Sequence, residues 1–208
     1  MGSSLFIKIC GLSTARDVDT AVAAGADAVG FVFADSPRRV DADTARRLAD
    51  RVPGNVLTVG VFRGQSVAEV RELTRAAGLR SVQLHGDEGV EHYEALRPEG
   101  WTLIRATSFR GTALRCGELG EDHLLLDAPA PGAGRPWDWG DEGFVAPEGP
   151  WLLAGGLAPG NVRAAVRSTG CWGVDVSSGV EASRGVKDPV LIEEFIAAAR
   201  SAAVRSGE

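Results

Sequence analysis

Cysteine, histidine and positive charge are all scarce in this chain, and each scarcity closes off a class of function. The three cysteines, Cys10, Cys116 and Cys171, form no CxxC pair, and only three histidines accompany them. Neither set shows the spacing of a zinc site, so no metal is expected. The formal charge is −6, the wrong sign for a nucleic-acid surface, which needs a basic face. A small anionic substrate remains open, because a local pocket of N–H groups and one arginine outweighs the global sign. No apolar run approaches the roughly 20 residues that span a bilayer, so no membrane association is expected. The opening Met1-Gly-Ser-Ser-Leu-Phe-Ile-Lys8 lacks the basic start and long apolar core of a signal peptide, which makes a cytoplasmic location the expectation. Linkers and low-complexity tails are missing too. A length of 208 residues, 44% hydrophobic and 24% charged, suits one soluble domain over residues 1–208.

What the chain does contain is alternation. Leu5–Cys10 reads as a first strand, followed by a helical pattern from Thr14 to Ala24. Ala28–Phe33 is a second strand, and Asp41 is placed to cap a helix running to Arg51. Val56–Phe62 precedes a helix opened by Ser66, with Glu69 completing a capping box. Ser81–Leu84 leads to a helix from about Glu88 to Leu96, and Trp101–Ala106 is the fifth strand. His123–Asp127 is the sixth, the apolar run Trp151–Leu157 carries the seventh, and the stretch opening at Gly173 is the eighth. A helix opens near Ala158-Pro-Gly-Asn161, and an Ala-rich amphipathic one runs from Pro189 to about Val204. Eight buried-type strands alternating with helices argue for an α/β fold, a single (β/α)8 TIM barrel. The segment Ser108–Gly120 is Gly-rich and weakly periodic, so the helix after strand five is poorly formed. Pro129–Pro136 is a loop by composition. An open doubly wound sheet would carry a glycine fingerprint after strand one, and Cys10-Gly-Leu-Ser13 is not one.

Active sites of such barrels lie at the C-terminal strand ends. Cys10 ends strand one, Ser36-Pro-Arg-Arg39 follows strand two, Gln83 and His85 flank the end of strand four, and Asp127 ends strand six. Strands seven and eight run into Gly155-Gly156 and Ser177-Ser178-Gly179, where unhindered N–H groups suit a phosphate. Cys10 and Asp127 form a candidate base and acid. Taken alone, Cys10 reads more readily as a small buried apolar residue than as a base. Asp127 follows three leucines, and its charge must be paired or solvated there. Arg38 or Arg39 could fork onto a substrate carboxylate, and His85 reads as a pocket wall. Cys116 and Cys171 read as structural.

Lys8-Ile-Cys-Gly11, Ser36-Pro-Arg38, Val82-Gln-Leu-His-Gly86, Leu125-Leu-Asp127, Trp137-Asp-Trp139, Ala154–Asn161 and Val174-Asp-Val-Ser-Ser-Gly-Val-Glu181, in order along nearly the whole chain, resemble phosphoribosylanthranilate isomerase. The resemblance implies a (β/α)8 barrel and an Amadori rearrangement in tryptophan biosynthesis, with no cofactor and no metal. It implies that Asp127 protonates the ribose ring oxygen as general acid and that Cys10 removes the C2′ proton as general base. Arg38 would face the anthranilate carboxylate, and Gly156, Ser178 and Gly179 would supply phosphate-binding N–H groups. The loop near Gly134 would close over the same anion. Gln83, His85, Gly155, Asp175 and Ser177 complete the expected substrate-binding set. The family's Gly-Gly-x-Gly loop stands here as Pro131-Gly-Ala-Gly134, and Ala128 replaces a more frequent Ser or Thr. A cysteine is a slow base near its usual pKa of about 8.5, so the site is expected to lower it through N–H dipoles or Lys8.

Two other readings stay open at this point. The related sugar isomerase of histidine biosynthesis, or a dual-substrate relative, runs the same chemistry but resembles two fused half-barrels with Asp in place of Cys10. A silent barrel would bind a phosphorylated ligand without turning it over, and would need neither Cys10 nor Asp127. Trp172 is a lone large apolar residue, expected to pack on its own helix, so a monomer is the expectation, with a homodimer as the alternative.

Overall fold

The computed structural model describes residues 4–108, 114–127 and 144–203. Eight parallel strands close into a barrel in chain order. They are β1 (Phe6–Cys10), β2 (Ala28–Val32), β3 (Leu57–Phe62), β4 (Ser81–Leu84), β5 (Thr102–Ser108), β6 (His123–Asp127), β7 (Trp151–Leu153) and β8 (Gly173–Val176). Closure pairs β8 with β1, setting Lys8 opposite Asp175 and Ile7 opposite Val174. Side chains alternate along each strand, and the two faces collect into two cores. Ile7, Ile9, Val82, Leu84, Leu124, Leu126 and Val174 pack outward under the helices. Cys10, Ala28, Val32, Val59, Val61, Ile104, Leu125 and Leu152 fill the barrel interior. By the same parity Lys8, Gln83, Asp127 and Asp175 face inward, all of them buried. The interior is therefore packed below and polar towards its C-terminal mouth.

The helices are α1 (Ala15–Ala24), α2 (Ala42–Ala49), α3 (Val67–Ala76), α4 (Val90–Leu96), α5 (Val162–Thr169) and α6 (Pro189–Ala203). The starts of α1, α2 and α3 follow side-chain caps. Asp41 accepts from the Thr44 N–H at 2.7 Å, and the reciprocal Ser66–Glu69 capping box is fully formed. The helix expected from Glu88 begins two residues later, at Val90. The Glu88 carboxylate is used elsewhere, accepting the Gly64 and Gly86 N–H groups at 2.7 Å each. Similarly, α5 begins at Val162 because the Asn161 amide holds the preceding turn, accepting from the Ala158 N–H and donating to the Gly156 carbonyl, both at 2.8 Å.

Between β5 and β6 the described residues 114–122 form turns and a bridge to Glu148, with no helix. The loop 129–136, with Gly134 and Ala133, lies outside the described residues. A feature absent from the sequence reading is a small antiparallel hairpin, β9 (Glu181–Ser183) with β10 (Val186–Lys187), inserted between β8 and α6. Trp172 also departs from expectation. Instead of lying on a helix it stacks on Phe6 and His123, with ring centroids 4.7 and 4.8 Å away, at the N-terminal end of the barrel. No helix among the described residues is long and apolar enough to cross a membrane.

Candidate active site

The C-terminal strand ends enclose a cavity of about 720 Å³. Its lining brings together Cys10, Arg38, Gln83, His85, Asp127, Gly155, Gly156, Asp175, Ser177, Ser178 and Gly179, which is every expected site residue among the described ones. A second, more open cavity lies over the loops after β3, β4 and β5 and shares Arg63 and His85 with the first.

Cys10 is 7% exposed at the end of β1. Two residues earlier and on the same interior face, the fully buried Lys8 places its Nζ 2.6 Å from Asp175 Oδ1. Burial works against the Lys8 charge, but Asp175 and then Cys10 more than offset it, so its pKa lies above the ordinary lysine range. For Cys10 the balance corrects the sequence expectation. Burial is the largest influence and pushes the thiol up, outweighing the downward pull of Lys8 and Lys187. Gly30 makes this arrangement possible, since a Cβ there would stand 3.0 Å from Cys10 Sγ and 3.4 Å from Lys8 Cε.

Asp127 sits at the end of β6, three strands from Cys10 around the barrel. Its Oδ2 is 3.3 Å from His85 Nε2. With a carboxylate on that side, His85 Nε2 is the donor, and Nδ1 faces Gln83 Nε2 at 3.5 Å. Gln83 is 1% exposed, and its Oε1 has no hydrogen-bond partner among the described residues.

The two glycine-rich ends meet physically. A Cβ on Gly179 would lie 1.8 Å from the Leu157 carbonyl oxygen, so only glycine lets the loop after β8 close against the loop after β7. Gly155 and Gly156 take φ of 82° and 67°, a region that suits glycine alone. Past Ser177, a 3-10 turn over Ser178–Val180 completes a concave run of backbone.

Arg38 reaches this mouth from the loop after β2, and its stem crosses Gly11, where a Cβ would stand 2.7 Å from Arg38 Cδ. Its guanidinium is forked on Glu181, with Nε–Oε1 at 2.5 Å and Nη2–Oε2 at 2.9 Å. Glu181 also accepts from Lys187 Nζ at 2.9 Å and the Gly185 N–H at 3.0 Å. Burial opposes the Glu181 charge, yet Arg38, Gly185 and Lys187 together hold its pKa down to about 2. Lys187 donates as well to the Ser177 carbonyl at 2.8 Å and hydroxyl at 3.2 Å. Sequence reasoning passed over Lys187 and left Glu181 as part of a motif. Neither carries a local signal, because the hairpin that brings them to the mouth is visible only in the fold.

A family model described as N-(5′phosphoribosyl)anthranilate (PRA) isomerase matches residues 7–198. The N-(5′-phosphoribosyl)anthranilate isomerase of Streptococcus gordonii is 46% identical over 191 residues, covering 91% of this chain and 95% of its own. Among solved structures, TrpF of Jonesia denitrificans is 41% identical with a TM-score of 0.86, over 96% of this chain and 98% of its own. A phosphoribosyl anthranilate isomerase in complex with reduced 1-(o-carboxyphenylamino)-1-deoxyribulose 5-phosphate is 32% identical, with a TM-score of 0.78 over 95% and 99% of the two chains.

Proposed function

Because the chain belongs to the N-(5′-phosphoribosyl)anthranilate isomerase family, we propose that it converts N-(5′-phosphoribosyl)anthranilate to 1-(o-carboxyphenylamino)-1-deoxyribulose 5-phosphate in tryptophan biosynthesis. The substrate is an aminoaldose and the product an aminoketose, so the reaction moves protons and needs one acid and one base. Asp127, entering the cycle as the carboxylic acid, gives its proton to the ribose ring oxygen, the C1′–O bond breaks, and a Schiff base forms with the anilino nitrogen. Cys10 as thiolate then takes the C2′ proton, and the electron pair moves to give an enolamine that tautomerises to the ketone. The phosphate sits on the N–H groups of Gly156, Ser178 and Gly179, beside Gly155 and Ser177. Arg38 meets the anthranilate carboxylate. Gln83 and His85 wall the pocket, with His85 orienting the Asp127 carboxyl, and Asp175 acts through Lys8.

The observation that carries this reading is a single cavity that brings Cys10 and Asp127 together with two loops joined at Gly179. The protein is read as one barrel domain, working in the cytoplasm as a monomer. The test is conversion of freshly made phosphoribosylanthranilate, followed by loss of its fluorescence. Cys10→Ser and Asp127→Asn should each lose about 10² to 10⁴ in rate, the usual contribution of a general acid or base. A wild type that binds the compound and leaves it unchanged would make the barrel a binding module instead.

A further inference from the structure

We propose that Glu181 is the positioning residue that presents Arg38 to the substrate carboxylate, and that it thereby sets how strongly the site selects an ortho-carboxylated arylamine over the uncharged one. The inference rests on the reading of Arg38 given above. A guanidinium is planar and carries five N–H donors. Glu181 takes the edge formed by Nε and Nη2, which leaves the Nη1–Nη2 end for a second carboxylate. Arg38 lines the cavity with 19% of its side chain exposed, while the Glu181 side chain is 4% exposed.

Glu181 is itself held from three directions, by Arg38, by Lys187 Nζ and by the Gly185 N–H. It is fixed as well as charged, and it transmits that fixity to a side chain that otherwise loses rotamer freedom on binding. The same segment carries the phosphate loop. Lys187 ties Ser177 to Glu181, and Ser178 and Gly179 follow directly in sequence. The spacing between phosphate and carboxylate sites is thus set by one short network running from Ser177 through Lys187 and Glu181 to Arg38. A ligand seated by its phosphate finds the guanidinium already aimed.

The experiment compares two competitive inhibitors, reduced 1-(o-carboxyphenylamino)-1-deoxyribulose 5-phosphate and the same compound without the ortho carboxylate. Their Ki ratio reads the carboxylate alone. In wild type the charged compound should bind about 10- to 150-fold more tightly, the range for hydrogen bonds to a charged group. R38M should bring the ratio close to unity. With E181Q the ratio should fall about tenfold towards the R38M value, since the arginine must then be ordered at the ligand's expense. If R38M leaves the ratio unchanged, the reading of Arg38 fails, and the role of Glu181 with it. If R38M collapses the ratio while E181Q leaves it intact, Glu181 only supports the hairpin and this proposal alone is overturned. A ratio that rises in E181Q overturns it too, because Glu181 would then compete with the ligand for Arg38. E181D keeps the charge but is one methylene short, so it should lower the ratio as well, and it serves if E181Q does not fold.

Discussion

Replacing Lys8 with methionine removes the cation beneath Cys10 and should change stability and thiol chemistry together. Lys8 is 0% exposed and 2.6 Å from Asp175, itself 8% exposed, so the variant leaves a buried carboxylate without its partner. Breaking a buried pair from one side costs about 3–5 kcal/mol. At about 2–4 °C per kcal/mol for a chain of this size, the melting temperature should fall by about 6–20 °C. The second effect concerns charge balance. Lys8 and Lys187 favour the Cys10 thiolate, while burial and the Asp175 carboxylate oppose it. Unit charges about 5 Å apart interact by about 3 kcal/mol at an effective dielectric constant of about 20. Losing Lys8 should therefore slow Cys10 alkylation at neutral pH by about a hundredfold and move its pH midpoint upward. Asp175→Asn removes an anion that raises the Cys10 pKa, so its midpoint should move downward even though this variant is also less stable. The assay is iodoacetamide labelling across pH with peptide mapping, which separates Cys10 from Cys116 and Cys171, alongside calorimetric melts. If both variants shift the midpoint in the same direction, the pair supports the barrel without tuning the base.

Two further outcomes test the mouth of the barrel. In Gly179→Ala the new Cβ meets the Leu157 carbonyl oxygen at 1.8 Å, so the loops after β7 and β8 must part and, on the phosphate role proposed for them, inorganic phosphate affinity should fall by about tenfold, the worth of one hydrogen bond to a charged group; unchanged phosphate inhibition with a native melt would refute the contact. Glu181 has a folded pKa lowered from 4.5 to about 2, so its contribution to stability is complete above the unfolded value and drains away as pH falls towards the folded one. E181Q should then lose melting temperature less steeply than wild type over that acid range, and parallel curves would contradict the shift.

Much of the barrel is legible in local pattern. The runs Ser81–Leu84 and His123–Asp127 match the observed strands end to end, because a buried parallel strand must be a short apolar run between turn signals. Asp41 and the Ser66–Glu69 box mark helix starts for an equally local reason, since the bonds they make span three residues. Strand-end positions alone gathered Cys10, Arg38, Gln83, His85 and Asp127, because barrel topology carries every strand end to one face. The helices expected from about Glu88 and near Ala158–Asn161, which begin at Val90 and, behind the N-cap Asn161, at Val162, show the limit of the same logic. A carboxylate or amide fit for one helix turn was claimed by a loop that lay elsewhere in the chain or turned back on itself.

What the sequence determined by itself was therefore the alternation, the caps and the cast of reactive residues, each set within a few neighbours along the chain. The charge state of the site was decided by the tertiary structure. Lys8 meets Asp175 across 167 residues and Arg38 meets Glu181 across 143, and the burial that pushes the Cys10 thiol up exists only once the barrel has closed. Coulomb attraction and desolvation depend on distances through space and on access to water, and barrel closure sets both.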